Sequence, residues 1–79
     1  MKKKIYILTV VNEDGIVVMC NAHPTLDKAQ AAMKNDWCNE VESLTQDGFV
    51  PVMKRDEFFA TIHFGNGMFY SYQISETRI

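Results

Sequence analysis

A chain of 79 residues with a net charge of −2 has room for one domain and one small core, and a domain of that size buries only about 60–65% of the surface its unfolded form exposes. A hydrophobic fraction of 47%, a charged fraction of 23% and only four glycines and two prolines exclude a disordered or repetitive chain. The acidic balance argues against a general nucleic-acid binder, which carries a basic face.

The chain opens on lysines, Lys2 to Lys4, and an apolar run from Ile5 to Val11. The run is too short for a secretory signal and is broken by Asn12, Glu13 and Asp14 without a small-residue cleavage site. No stretch approaches the roughly 20 apolar residues that span a bilayer. The expectation is a cytoplasmic protein with no membrane contact, whose two cysteines, Cys20 and Cys38, stay reduced. The lysine cluster reads as a solvated terminus.

Lys4 to Val11 has strand composition, Asn12 to Gly15 is turn chemistry, and Ile16 to Asn21 is a second strand. These form a hairpin whose register the residues leave open. His23 and Pro24 stop the strand, and Thr25 is placed to cap a helix, with Asp27 favouring its dipole. Leu26, Ala29, Met33, Trp37, Val41 and Leu44 then recur at steps of three and four, an apolar stripe on one helix from Leu26 to Asp47. Trp37 is expected to be its main anchor. Gly48 sits where a left-handed C-terminal residue is wanted.

Phe49 to Met53 reads as a connector or short edge strand, because Pro51 has no N–H for a central ladder. Lys54 to Glu57 reads as a charged turn. Phe58 to Phe64 and Met68 to Ser75 are strands joined by Gly65-Asn66-Gly67, a strong hairpin signal. A two-residue turn would oppose Ile62 to Ser71 and mix polar with apolar side chains on each face. A three-residue loop opposes Phe64 to Met68, Ile62 to Tyr70, Ala60 to Tyr72 and Phe58 to Ile74. Directly opposed residues share a face, so only the second register gives one uniformly apolar side. The expected fold is α+β of ββαββ order: two hairpins in a four-stranded, mainly antiparallel sheet with one long helix on one face.

One helix covers one side of such a sheet. The other side would carry Phe59, Thr61, His63, Phe69, Ser71 and Gln73, and exposed aromatics on a small protein commonly mark an interface. The competing arrangement folds Phe49 and Pro51 over those rings. A symmetric homodimer is the expected partner state, being the commonest oligomer.

Other chemistries are weakly supported. Cys20, His23, Cys38 and His63 lack the paired knuckles of a zinc site. Cys38 or Ser71 with His63 carries no nucleophile signature, the Asp36–Glu40 and Asp56–Glu57 pairs suit solvated faces, and the glycine turn leads into a strand where a phosphate cradle leads into a helix. Neither an enzyme nor a cofactor is expected. Asp36, Glu40, Glu42 and Asp47 make a candidate acidic surface, which an anti-CRISPR-like inhibitor of a host nuclease or defence complex would use to occupy a nucleic-acid channel. Phe59, Phe69 and His63 could also stack single-stranded bases, although the face is poor in the positive charge that dominates such affinity.

The opening I-Y-I-L-T-V, the T-x-D-x-A-x-x-A-M of Thr25 to Met33 and the closing A-T-I-H-F-G-N-G-M-F-Y-S-Y-Q-I of Ala60 to Ile74 resemble small uncharacterised proteins of bacteria and their phages. That resemblance implies a ββαββ fold and points to a mobile-element origin. It brings no site residue with it.

Overall fold

The computed structural model describes residues 3–65 and 67–78. Its elements run β1 (Lys4–Val11), β2 (Val17–His23), α1 (Leu26–Gln46), β3 (Val52–Arg55), β4 (Phe59–His63) and β5 (Phe69–Arg78). The fold is α+β, with one helix and a five-stranded antiparallel sheet in the order β2-β1-β5-β4-β3. The expected four-stranded ββαββ arrangement is therefore one strand short. Pro51 stands just outside the ladder, where its missing N–H costs nothing. Lys54 and Arg55, expected in a turn, lie on an exposed edge strand that tolerates charge.

Both ends of α1 follow from local chemistry. Thr25 Oγ1 accepts from the Lys28 amide at 3.2 Å, satisfying one of the free donors of the first turn. At the other end Gly48 has φ +92°. Its amide donates to Thr45 O at 3.1 Å and that of Phe49 to Leu44 O at 3.0 Å, the paired bonds of a Schellman stop. The 21-residue helix spans about 32 Å at 1.5 Å per residue, enough to cross the sheet.

The β4–β5 ladder pairs Ile62 with Tyr70 and Ala60 with Tyr72, and the Phe64 amide donates to Met68 O at 2.9 Å. The pairing expected from face matching is the one adopted. Asn66, at the centre of the expected three-residue loop, and Lys2 of the lysine cluster lie outside the described residues. Gly67 has φ +74°, the left-handed geometry that a bulge residue needs.

This register places Ala60, Ile62, Phe64, Tyr72 and Ile74 on one face, where they join Leu8 and Val10 of β1 under Ala29, Met33 and Leu44 of α1. Every residue of the expected helical stripe packs on this core. The centre, however, is Met33 at 2% exposure, while Trp37 is half-buried at the β4 side. There its Nε1–H donates to Thr61 O at 3.4 Å. Phe58 stays 40% exposed although it lies on the same side, because it precedes the first residue of β4.

Candidate interaction face

Alternation sends every second strand residue to the side of the sheet away from α1. Opposed residues build rows across that side. Val52, His63 and Phe69 form one; Lys54, Thr61, Ser71, Val11 and Val17 the next. Phe59, Gln73, Thr9 and Cys20 form a third, followed by Ser75, Ile7 and Ala22, then Thr77 and Ile5. Phe59, Thr61, His63, Phe69, Ser71 and Gln73, singled out from the sequence, thus stand together on one face.

Phe59 is 39% and Phe69 42% exposed. The connector does not cover them. Phe49 instead meets Phe64 edge-on, ring centroids 5.5 Å apart, because the glycine stop turns the chain back onto the helix side. The Cα atoms measure only 17 Å along the thinnest axis, enough for a helix layer and a sheet layer and no third. On the open side His63 stacks on Phe69 at 5.4 Å, and the Lys54 ammonium lies 5.8 Å from the Phe59 ring centre, within cation–π range. Among the described residues of these rows Lys54 is the single Lys, Arg, Asp or Glu, in a chain that is 23% charged.

The face is wider than the sequence suggested. Ile5, Ile7, Thr9 and Val11 of β1, Ser75 and Thr77 of β5, and Val52 and Lys54 of β3 extend it. The signal for β1 is visible in the sequence. Its residues are apolar on both sides rather than alternating, as in strands covered twice.

Asp36, Glu40, Glu42 and Asp47 do not make one surface. Glu42 and Asp47 are exposed, and Glu42 accepts from Gln46 Nε2 at 3.5 Å. Asp36 and Glu40 turn toward the sheet: the Tyr72 hydroxyl donates to Asp36 Oδ2 at 2.8 Å. Burial, then the carboxylates of Asp36 and Glu13, raise the Glu40 pKa above its usual 4.5. Burial, followed by Glu40 and Glu13, pushes the Tyr70 hydroxyl up to about 12. The folded protein holds the Glu40 proton more tightly than the unfolded chain does. Glu40 therefore favours folding at acid pH, and that contribution is lost as pH rises through its raised pKa. Glu40→Gln is expected to raise the melting temperature at pH 7, with the gap narrowing as pH falls below the usual carboxylate range. Paired thermal melts check this, and a lower melting temperature for the variant at pH 7 would contradict it.

On the helix side, an open groove of about 600 Å³ runs between α1 and the β3–β4 turn, lined by Gln30, Met33, Lys34, Arg55, Asp56 and Glu57. Gln30 Nε2 donates to Glu57 O at 3.0 Å and ties the turn to the helix. Lys34 from α1 and Arg55, Asp56 and Glu57 from the β3–β4 side all line it, so neither sign of ligand is favoured. Cys20 and Cys38 are free and exposed, on the sheet and the helix respectively. Among the described residues no three His, Cys, Asp or Glu side chains converge to hold a metal ion, and no helix is long and apolar enough to cross a membrane.

No family model, curated protein or solved structure matches the chain.

Proposed function

We propose that this chain is a non-enzymatic interaction module that pairs with a second copy through the open face of its sheet. The observation that carries the reading is a face spanning five strands with Lys54 as the one charge among its described residues and with Phe59 and Phe69 uncovered. A face meant for water in an antiparallel sheet alternates to polar and charged residues. Here β1 presents Ile5, Ile7, Thr9 and Val11 instead.

Two arguments favour a second copy as the occupant. A face whose one charge, Lys54, stands on the edge strand β3 meets its own image about a two-fold axis near its centre without opposing like charges. Its size also fits. The five strands hold 34 residues, which at about 3.4 Å by about 4.8 Å each project onto roughly 550 Å², close to the about 600 Å² per partner at the lower end of stable interfaces. Two such faces would pack at about 10 Å, as the layers of a sandwich do.

Light scattering on wild type and Phe69→Asp tests the reading. At high micromolar concentration wild type is expected to assemble, and Phe69→Asp to lose that contact while keeping its helical signal. The cysteines add an internal control. Cys20 lies in the rows of the face and Cys38 on the helix, so assembly should slow thiol labelling at Cys20 only. A wild type that stays monomeric at high micromolar concentration removes the proposal.

A further inference from the structure

The two edges of the sheet differ in kind. β3 is four residues long, follows Pro51 and carries Lys54 and Arg55; charge, proline and shortness are the devices that discourage a further strand from adding. β2 has none of them. It is seven residues long, V-V-M-C-N-A-H, without Lys, Arg, Asp, Glu or Pro. Beside it Ile16, with Val17 and Val18 within it, are 58%, 55% and 56% exposed. Its one irregularity, the register shift that leaves Val18 unpaired, lies at the turn end, and Met19 to His23 stay in unbroken register with β1. Natural edges of this length are ordinarily blunted or covered, and of those devices β2 carries only the bulge at its turn end.

We propose that β2 pairs antiparallel with β2 of a second copy, joining two five-stranded sheets into one of ten strands. Edge pairing of this kind draws its affinity from main-chain hydrogen bonds, and the occupant of a bare edge is an extended strand. The second copy is favoured because a strand meeting itself about a two-fold axis perpendicular to the sheet is antiparallel, as every other pair in this sheet is. The uncharged β2 sequence places no like charges opposite one another, and it gives a charged partner nothing to recognise. The contact closes after two copies, so it does not run on into a fibre. It sets both helices on the same side and leaves the open faces free, so it is independent of face-to-face pairing. With both contacts made and their two-fold axes meeting at right angles, the assembly holds four chains.

Asn21 separates the two contacts. It is exposed and opposes Leu8, so it lies on the helix side of β2, away from the open face. Mass measurement at high micromolar concentration on wild type, Asn21→Lys, Phe69→Asp and the double variant reads both. The expected masses are four, two, two and one times the 9.1 kDa chain. Asn21→Lys at the wild-type mass overturns the edge pairing whatever Phe69→Asp does. Phe69→Asp at the wild-type mass overturns the face reading and leaves the edge pairing standing. Phe69→Asp masses that climb without a plateau overturn the closed pairing. Amide hydrogen exchange gives a second readout: alternate amides of β2 should exchange slowly in wild type and fast in Asn21→Lys, with β1 unchanged. Equal β2 exchange in the two proteins overturns the proposal. Should Asn21→Lys fail to fold, Val18→Lys at the exposed bulge takes its place.

Discussion

Tyr72→Ala is expected to remove most of the protein's stability. Tyr72 is fully buried, opposes Ala60 on one side and Val10 on the other, and so fills the middle of the core beneath α1. Truncating a buried aromatic costs about 3–5 kcal/mol. A domain of this length holds only about 4–12 kcal/mol in total, and each kcal/mol moves the melting temperature by about 4–8 °C. The expected result is a fall of about 12–40 °C, or no cooperative transition at all. Tyr72→Phe separates the ring from the hydroxyl. It keeps the packing but leaves Asp36 Oδ2 without its donor, for about 1–3 kcal/mol. Burial, then the hydrogen bond and charge of Asp36, raise the Tyr72 pKa well above the usual 10.0, and Tyr70 is raised as well. The folded state keeps both protons while the unfolded chain releases them above pH 10. Stability from the tyrosines is therefore full below that pH and lost as pH climbs through the folded values, and Tyr72→Phe should flatten that alkaline decline. A Tyr72→Ala protein melting within 5 °C of wild type would show that the helix does not rest on this ring.

The parts of the fold that were legible from sequence are those fixed by short-range rules. Thr25 and Gly48 bracket the helix because each satisfies backbone groups that the helix leaves free. The β4–β5 register was legible for a different reason. Only one pairing puts Ala60, Ile62, Phe64, Tyr70, Tyr72 and Ile74 on a single side, and the gain from burying them together outweighs the preference for a shorter turn.

The elements that escaped are those whose state depends on a neighbour. Lys54 and Arg55 have the composition of a turn and become strand because β4 offers an edge to pair with. Ser75 to Arg78 shows no apolar alternation, yet β5 runs to Arg78 because β1 lies alongside from Lys4 onward, with Lys4 Nζ and Glu76 Oε1 3.1 Å apart. Asp36 and Glu40 read as solvent-facing charge, but their spacing from Met33 sets them on the inner flank of α1, against Tyr70 and Tyr72. The candidate face was half legible. Its β4 and β5 members follow from the hairpin register, whereas its β1 members required the sheet order.

Met33→Ala is the other substitution with a large expected effect. Met33 is 2% exposed at the middle of the helical stripe, and its truncation should cost about 2–5 kcal/mol, lowering the melting temperature by about 8–40 °C. Trp37, the chain's single tryptophan, gives the contrast. It lies at the flank of the core, its Nε1–H reaching Thr61 O at 3.4 Å and the Arg55 guanidinium standing 5.4 Å from its ring centre. Trp37→Phe keeps an aromatic ring against β4 and gives up a long hydrogen bond, so about 1 kcal/mol is expected. Helical circular dichroism reads both variants on one scale, and Trp37 emission follows Met33→Ala independently. If Trp37→Phe proved the more damaging of the two, the helix would be anchored at the β4 edge, and the centre of the core would have to shift from Met33 toward Thr61 and Arg55.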